Sequence, residues 1–326
     1  MSLLVIKKLK ILVSFDLPEE YMKDIRSVSP RISVEKCVEK NALIDAMKDV
    51  EVLHAGLFDK DILATADRLK WVHNRLVGMD KFLFPEMLKN DILLTSSRGI
   101  HKTQASEHTM SLILAWSRNL HKFMRNQLKA QWQRPSGVSV CDELWGKTIG
   151  IIGVGSIGAE IAVKAKVFNA RVLGLSRRAG RINLSGVDEL FPPERLAILL
   201  QRSDFVVLAV PLTPETQGMI GEEELRHMKK TAVLVNIARG GGVQEEKLIK
   251  AIKDGWIAGA ALDVFETEPL PPDSELWKLE NVIITPHVAG TTPHYYQRST
   301  SLFIDNLKRY LNGEPLINLI DKKKGY

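Results

Sequence analysis

Apolar runs alternate with polar stretches of helical spacing over the first hundred residues of the chain. Each run is rich in Val, Ile and Leu and has the length of one buried strand, while the segments between the runs have the period of amphipathic helices. This alternation predicts an α/β unit. The predicted strands are residues 11–15, 50–55, 69–76 and 92–95.

A long helical pattern follows, and we predict one helix over about residues 103–129. Its apolar side chains recur on or near one face, so the helix can pack against other elements and connect two domains. These side chains are Met110, Ile113, Leu114, Leu120, Phe123, Met124 and Leu128. The next segment, residues 131–147, is predicted to be rich in turns because it contains Pro135, Gly137 and Gly146.

A second alternation of strands and helices occupies the rest of the chain. Strands that are apolar on both faces and separated by helices predict a parallel, doubly wound sheet covered on both sides. The predicted strands are residues 148–154, 171–176, 205–210, 232–237, 257–262 and 282–285. A last helix is predicted to begin at Thr292, with Pro293 in its first turn, and to end at Asn312-Gly313.

The chain has 326 residues, enough for two domains of ~150 residues each. Its two cysteines, Cys37 and Cys141, form neither a disulfide framework nor a zinc-ligand spacing, so we expect a reducing compartment, the cytoplasm, and no metal. No apolar run approaches the ~20 residues that span a bilayer, and the first residues lack a signal-peptide pattern. We therefore expect no membrane association.

The net charge of +6 and the basic residues Lys322, Lys323 and Lys324 raise the question of nucleic-acid binding. Lysines interspersed with acidic residues are usually a solvated surface, and no nucleic-acid-binding motif accompanies them. An anionic cofactor and an anionic substrate suit the same charge. We expect no nucleic-acid partner.

The segment Gly153-Val154-Gly155-Ser156-Ile157-Gly158 stands between a predicted strand and a predicted helix. In this context the first glycine permits a tight turn, the second lets backbone approach a pyrophosphate, and the third packs the helix on the strand. The helix N-terminus, with Ser156 and Ile157, would hold the phosphates. The motif predicts a Rossmann-type dinucleotide site.

The next strand ends in Leu175-Ser176-Arg177-Arg178, where an NAD site usually offers an acid to the ribose. A serine hydroxyl and two guanidinium groups can donate hydrogen bonds to a 2'-phosphate, which a carboxylate would repel. We therefore predict that NADP(H) is preferred and that NAD(H) is possible. The alternative is that both arginines are solvated loop charges.

Three further segments end later strands: residues 235–240 (VNIARG), 262–269 (LDVFETEP) and 285–290 (TPHVAG). Together with the glycine motif they resemble the D-isomer specific 2-hydroxyacid dehydrogenase family, and the resemblance covers nearly the whole chain. It implies a flavodoxin-like α/β substrate-binding domain, residues 1–100 and 291–326, into which a Rossmann dinucleotide-binding domain, residues 101–290, is inserted. It also implies a homodimer, with the helix from Thr103 and the stretch through Trp145 as the dimerisation arm.

Reduction of a 2-oxo acid needs a cation for the carboxylate and a proton donor for the carbonyl oxygen. Arg239 suits the first role because its planar fork can hold the carboxylate and the carbonyl oxygen together, although an arginine outside this motif could equally be a surface ion pair. His287 suits the second role because imidazole exchanges protons near neutral pH. Glu268 is the expected partner that fixes the histidine tautomer.

The resemblance also implies further contacts with the cofactor and the substrate. Asp263 corresponds to the family residue that binds the nicotinamide carboxamide, although an aspartate there could also cap a helix. Residues expected to line the nucleotide are Val210, Pro211, Thr216, Ile237, Arg239, His287 and Gly290. In the first domain, Leu76-Val77-Gly78-Met79-Asp80 resembles the loop whose amides bind the substrate carboxylate, so Val77 and Gly78 are candidates.

Residues Ala55 and Gly56, where a substrate loop is expected, are small and uncharged and offer no phosphate clamp. The chain also stops soon after its last helix, without the regulatory domain of many phosphoglycerate dehydrogenases. Together with the NADPH signature this favours glyoxylate or hydroxypyruvate as substrate. D-lactate and D-3-phosphoglycerate dehydrogenases remain alternatives.

Two functions of other kinds occur on the same fold. The family includes transcriptional corepressors that use it as a nucleotide-sensing module, but those proteins carry extended tails. Formate dehydrogenase shares the fold, but there an amide replaces the acidic partner of the histidine, so Glu268 argues against it.

Overall fold

The computed structural model describes residues 8–79, 81–134, 141–177, 179–180 and 184–322. By their contacts the residues form two compact units. The first consists of Met1–Ile100 and Thr292–Tyr326, and the second of His101–Thr291. The first unit is therefore made of two separate parts of the sequence.

The described residues contain twelve strands and eleven α-helices. The strands are β1 Leu9–Val13, β2 Ile32–Lys36, β3 Val52–Ala55, β4 Trp71–Asn74, β5 Leu93–Ser96, β6 Thr148–Ile152, β7 Arg171–Leu175, β8 Glu189–Phe191, β9 Phe205–Leu208, β10 Val233–Asn236, β11 Gly259–Leu262 and β12 Val282–Ile284. The helices are α1 Glu19–Ser27, α2 Lys40–Ala46, α3 Lys60–Ala64, α4 Pro85–Leu88, α5 Lys102–Ser117, α6 Leu120–Leu128, α7 Ser156–Val167, α8 Leu196–Arg202, α9 Glu222–His227, α10 Glu245–Lys253 and α11 Tyr295–Asn312. Of the helices in these ranges, none combines the length and apolar character needed to cross a membrane.

The first unit is built on a five-stranded parallel sheet in the order β2-β1-β3-β4-β5. This is the flavodoxin-like order of a doubly wound sheet, as the sequence predicted. Strands β3 and β4 are buried along their whole length because helices cover both faces of the sheet.

The C-terminal helix α11 belongs to the core of the first unit. Its residues Phe303 and Leu307 are fully buried. Phe303 stacks on Trp71 of β4, with ring centroids 5.2 Å apart, and Trp71 Nε1 donates a hydrogen bond of 2.8 Å to Thr95 Oγ1 on β5. These contacts bind the end of the chain to the sheet formed by its beginning.

The second unit is built on a seven-stranded parallel sheet in the order β12-β11-β10-β9-β6-β7-β8. From β6 the chain first extends the sheet through β7 to β8, and then returns to the other side of β6 with β9 and continues to β12. The order therefore reverses between β6 and β9. In open α/β sheets, ligands bind outside the carboxyl ends of the strands at such a switch point.

The prediction of one helix over residues 103–129 is wrong, because the segment forms two helices. Helix α5 ends where Arg118 N–H donates to the carbonyls of Leu114 and Trp116. Asn119 then adopts a left-handed conformation, φ 53° and ψ 27°, before α6 begins. Asparagine tolerates this conformation better than most residues, so the chain can turn here without glycine.

Each of the ten predicted strands overlaps an observed strand, but β2 and β8 were not predicted. Both are edge strands with few buried side chains, so neither leaves an apolar run in the sequence. The last helix begins at Tyr295 and not at Thr292, because Tyr295 N–H and His294 N–H bond back to Thr292 in a preceding turn. Its predicted end is confirmed by Gly313, which has φ 71°.

Candidate active site

The glycine motif follows β6 at the switch point, and each glycine meets a different environment. Gly153 has φ 98°, and a Cβ there would lie 2.7 Å from the Ala209 carbonyl oxygen. A Cβ on Gly158 would lie 2.2 Å from the Gly153 carbonyl oxygen. A Cβ on Gly155, in contrast, would have no described atom within 4 Å. The first and third glycines are thus required by packing, and the second leaves open space where a pyrophosphate could approach.

The N-terminus of α7 offers three hydrogen-bond donors to this space. The first helical bond runs from Ala159 N–H to Gly155 O at 2.9 Å, and no side chain caps the helix. Within the described part of the chain the N–H groups of Ser156, Ile157 and Gly158 therefore have no acceptor. Together with the helix dipole, unpaired N–H groups of this kind can bind a phosphate, so these residues fit a dinucleotide.

The end of β7 carries the residues predicted to select the cofactor. Ser176 N–H bonds to Phe191 O at 2.9 Å, which fixes the backbone of the turn. The pKa of Glu215 is lowered, chiefly by a hydrogen bond from Thr213 and in smaller part by the positive charge of Arg177. The Arg177 side chain therefore lies near the loop that follows β9, which carries Glu215. The third predicted residue, Arg178, lies outside the described residues.

The loop after β9 lies on the other side of the glycine motif. A Cβ on Gly153 would meet Val210 Cγ1 at 2.6 Å, so Val210 lies directly against the motif. Thr216 Oγ1 accepts the N–H of Thr213 at 2.8 Å and donates to Pro211 O at 2.7 Å. The Thr216 hydroxyl thus shapes the loop. Ile237, after β10, is only 9% exposed.

Glu268 and His287 form a direct pair. Glu268 Oε2 lies 2.7 Å from His287 Nδ1, while Glu268 Oε1 accepts the N–H of Phe265 at 3.1 Å. His287 has φ 52°, a left-handed conformation that costs free energy in a residue with a side chain. Because the carboxylate holds Nδ1, the other ring nitrogen, Nε2, can exchange a proton with a ligand.

Asp263, directly after β11, organises the loop that carries His287. Its side chain is 1% exposed. Oδ1 accepts the Thr285 hydroxyl at 2.6 Å and the Val288 N–H at 2.9 Å, and Oδ2 accepts the Ala289 N–H at 2.9 Å. In addition, His287 N–H donates to Asp263 O at 2.8 Å. Asp263 therefore stabilises this loop and does not cap a helix. Its hydrogen bonds hold the left-handed backbone of His287 in place.

His108, for which the sequence predicted no role, also belongs to this network. His108 Nε2 lies 3.0 Å from Thr285 Oγ1 and 3.5 Å from Asp263 Oδ1. Gln104, one helical turn earlier on α5, donates from Nε2 to Gly290 O at 3.2 Å. Helix α5 thus supports both ends of the 285–290 segment. No signal in the sequence distinguishes His108 from the other histidines, because its partners are far away along the chain.

Arg239 follows β10 and its backbone is fixed by Asn236. Asn236 Oδ1 accepts the N–H of Ala238 at 3.1 Å, and Asn236 Nδ2 donates to Arg239 O at 3.0 Å. The next residue, Gly240, lies so close to the neighbouring loop that a Cβ would be 1.8 Å from the Phe265 carbonyl carbon. Arg239 is therefore held beside the loop that leads to Glu268.

The register of three neighbouring strands brings these groups to one edge of the sheet. Asn236 of β10 pairs with Leu262 of β11, and Leu262 pairs with Ile284 of β12. The loops that carry Arg239, Glu268 and His287 thus leave the sheet side by side. This arrangement combines a cation with an imidazole–carboxylate pair on the same edge as the glycine turn after β6.

In the first unit, the predicted carboxylate loop follows β4. Asn74 shapes it by accepting the N–H of Leu76 at 2.9 Å and by donating to Gly78 O at 2.8 Å. In the part of the chain that the structure describes, neither Val77 N–H nor Gly78 N–H has an acceptor. Two adjacent unpaired amides can bind a carboxylate.

Comparison with known proteins agrees with this geometry. Residues 110–289 match the family model described as the D-isomer specific 2-hydroxyacid dehydrogenase, NAD binding domain. The chain is 39% identical over 317 residues to a glyoxylate reductase from Pyrococcus furiosus, an alignment that covers 94% of this chain and 91% of that protein.

Solved structures give the same result over the whole chain. A D-isomer specific 2-hydroxyacid dehydrogenase family protein from Aeromonas salmonicida is similar with a TM-score of 0.85 and 31% identity, covering 97% of this chain and 99% of that one. An NADPH-dependent glyoxylate/hydroxypyruvate reductase from Sinorhizobium meliloti, solved with NADP and sulfate, has a TM-score of 0.84 and 27% identity, covering 98% and 100%. The chain therefore belongs to the D-isomer specific 2-hydroxyacid dehydrogenase family and is an NAD(P)-dependent oxidoreductase that acts on a small 2-oxo or 2-hydroxy acid.

Proposed function

We propose that the protein is an NADPH-dependent reductase of glyoxylate and hydroxypyruvate. The observation that carries the proposal is the pairing of His287 with Glu268, on the same sheet edge as Arg239 and the glycine turn after β6. The glyoxylate reductase from Pyrococcus furiosus, 39% identical to this chain, supports this choice of substrate.

A reduced nicotinamide, when bound, supplies the hydride for the carbonyl carbon. Arg239 holds the substrate carboxylate and polarises the carbonyl oxygen with its second N–H group. His287 donates a proton from Nε2 to the carbonyl oxygen as the hydride arrives, and Glu268 stabilises the cationic ring before the transfer through Nδ1. In the reverse direction His287 accepts the proton from the hydroxyl group.

We propose further contacts for both ligands. The dinucleotide would bind at Gly155 and the N-terminus of α7, and Asp263 and Gly290 would contact its nicotinamide. The amides of Val77 and Gly78, which lack other acceptors among the described residues, would bind the substrate carboxylate.

The preference for NADPH rests on the end of β7. Ser176 stands where an acid would bind the ribose of NADH, and Arg177 extends the site with a positive charge. The reductase from Sinorhizobium meliloti, which is named as NADPH-dependent, supports this proposal. Replacement of Arg177 with alanine should raise the KM for NADPH about tenfold, because a charged hydrogen bond contributes about 1.5–3 kcal/mol, and leave the KM for NADH unchanged.

Arg171→Ala is the matched control for Arg177→Ala. Arg171 begins the same strand, β7, and pairs with Glu189 on the surface. Its replacement should leave both KM values unchanged. A lower KM for NADH than for NADPH in the unmodified protein would contradict the cofactor preference.

We also propose that the protein is a homodimer that uses α6. Leu120, Met124 and Leu128 recur at every fourth position of α6, with exposed fractions of 47%, 65% and 89%, and Trp132, just beyond the end of the helix, is 96% exposed. A row of exposed large apolar side chains is the expected signature of a protein interface. Met124→Asp should convert a dimer into a monomer in sedimentation equilibrium, and a monomeric unmodified protein would contradict the proposal.

Turnover with different 2-oxo acids tests the reaction. The purified protein should oxidise NADPH, followed by its absorbance, when glyoxylate or hydroxypyruvate is added, at more than ~1 per second. Pyruvate and phosphohydroxypyruvate should react more slowly. Faster turnover of either would reassign the substrate to the lactate or the phosphoglycerate class. NADPH binding without turnover of any acid would indicate a nucleotide-sensing protein.

A further inference from the structure

Arg75 lies at the carboxyl edge of the first sheet, two residues before the amides of Val77 and Gly78. It follows β4 directly, and its N–H bonds to Ala55 O at the end of β3 at 3.0 Å. Its side chain therefore occupies the same edge as the proposed carboxylate loop.

The surroundings of Arg75 form a seat for its guanidinium group. The Cζ atom lies 4.9 Å from the ring centroid of Phe15 and 5.9 Å from that of Tyr295, whose hydroxyl donates to Arg75 O at 2.7 Å. A Cβ on Gly56 would lie 3.1 Å from Arg75 Nε and 2.6 Å from Phe15 Cβ. The missing side chain at Gly56 is thus what makes room for the arginine.

The positive charge of Arg75 has no counter-charge in the described part of the protein. No carboxylate there lies within ion-pair distance, and the buried Nε has no hydrogen-bond partner. The adjacent His54 cannot supply a counter-charge, and it is held neutral: burial, His73 and Arg75 all lower its pKa. A partly buried cation with no carboxylate beside it is costly, so such a group is expected to bind an anion.

We propose that Arg75 binds a second carboxylate of the substrate, so that the protein also reduces short 2-oxo dicarboxylates. The inference rests on the proposed function, because the first carboxylate would occupy the amides of Val77 and Gly78. Arg75 would then hold the other end of the molecule in a bidentate pair. The chemistry is unchanged: the carbonyl carbon gains a hydride from the reduced nicotinamide, its oxygen gains the His287 proton, and a 2-hydroxy dicarboxylate and the oxidised cofactor result.

Two substrates of nearly equal shape test the inference. Oxaloacetate carries a carboxylate where 2-oxobutyrate carries a methyl group. The unmodified protein should have at least a tenfold higher kcat/KM for oxaloacetate than for 2-oxobutyrate. Arg75→Met, which retains the length of the side chain, should lower kcat/KM for oxaloacetate about 100-fold, the loss expected for a charged hydrogen-bonded pair. In the same variant, kcat/KM for glyoxylate, which has no second carboxylate, should change less than about threefold. Arg75→Lys should retain part of the activity with oxaloacetate that Arg75→Met loses.

Two results would overturn the inference. One is an equal loss of kcat/KM for glyoxylate and oxaloacetate in Arg75→Met, and the other is an equal kcat/KM for oxaloacetate and 2-oxobutyrate in the unmodified protein. Absence of turnover with every acid would instead contradict the proposed function. In that case, calorimetric binding of D-malate and D-2-hydroxybutyrate still tests whether Arg75 binds a second carboxylate. Malate should bind at least tenfold more tightly, and only when Arg75 is present; equal binding would refute the assignment.

Discussion

Glu268 connects His287 to the neighbouring backbone, since one of its carboxylate oxygens lies 2.7 Å from His287 Nδ1 and the other accepts the N–H of Phe265 at 3.1 Å. Glutamine at position 268 could keep the bond to Phe265, but its amide would then donate to Nδ1 and could not stabilise a cationic ring. Glu268→Gln should therefore lower kcat by about 100- to 10,000-fold, with little change in the KM for NADPH.

Glu266→Gln provides the matched control for this variant. Glu266 is two residues away on the same loop and accepts the N–H of Glu245 at 3.1 Å. It should retain nearly full activity. A Glu268→Gln protein with more than half of the original kcat in a steady-state assay would show that the pair has no catalytic role.

An added methyl group should have different effects at Gly155 and Gly158, in the turn where we propose that the dinucleotide phosphates bind. At Gly155 the Cβ meets no described atom, so Gly155→Ala should fold normally and raise the Kd for NADPH about tenfold or more, because the methyl group occupies space needed by the pyrophosphate. At Gly158 the Cβ would lie 2.2 Å from a carbonyl oxygen, so Gly158→Ala should lower the free energy of unfolding by about 1–3 kcal/mol.

Denaturant unfolding and fluorescence titration with NADPH separate these two effects. The opposite pattern, a destabilised Gly155→Ala protein with unchanged NADPH binding, would refute this assignment of the turn.

Asp263 should affect turnover through the loop it holds. In Asp263→Asn the amide NH₂ group would face either the Ala289 N–H or the Thr285 and Val288 donors, which leaves a buried donor unpaired at a cost of about 1–3 kcal/mol. Because the strained backbone of His287 depends on these bonds, kcat should fall at least tenfold at temperatures where the protein remains folded.

Asp204→Asn is the matched control for Asp263→Asn, because the Asp204 carboxylate also accepts a backbone N–H group. Asp204 Oδ2 accepts the N–H of Thr148 at 2.8 Å, but it lies at the amino end of the sheet, away from the site. Asp204→Asn should cost stability without a matching loss of kcat. If both variants lose stability and kcat in the same proportion, Asp263 has only a structural role.

The buried histidines of the first unit should make its stability depend on pH. Burial lowers the pKa of His73 to about 3 and lowers that of His54 well below its usual value. In the unfolded chain both groups take up a proton near pH 6.5. The unfolded state therefore binds more protons below that pH, so stability is full above about pH 7 and falls as the pH decreases from 6.5 towards 3.

Each of these histidines should lower the free energy of unfolding by about 1.4 kcal/mol as the pH decreases from 7.5 to 5.5. His54→Phe, which retains a ring to stack on Phe303, removes one of the two contributions. The loss of unfolding free energy over this pH range, measured with urea, should be about 1.4 kcal/mol smaller in the variant. An identical loss in both proteins would disprove the role of His54.

The sequence was sufficient to predict the central strands and the glycine motif, because their signals are local. Apolar runs mark strands buried on both faces, and the spacing of Gly153, Gly155 and Gly158 has a direct meaning for a turn and a helix start. The edge strand β8 was missed for the same reason: its side chains are only partly buried, so no apolar run marks it.

The support of the site could not be predicted, because it depends on contacts between distant residues. Asp263 bonds to groups 22 to 26 positions away, and His108 meets Thr285 across 177 positions. The seat of Arg75 similarly combines Phe15, Gly56 and Tyr295 from separate parts of the chain. No periodicity in a sequence carries this information.

The strand that leads to His287 is the outermost strand of its sheet. β12 has three residues and pairs with β11 alone within the described sheet, while Arg125 on α6 donates to Val282 O and Glu280 O from outside the ladder. Short edge strands open at lower free energy than central strands. Local opening of β12 would therefore displace His287, the proposed proton donor, while the strands from β6 to β8 stay intact. Heat inactivation would then precede melting, and amides 282–289 would exchange with deuterium before those of β6.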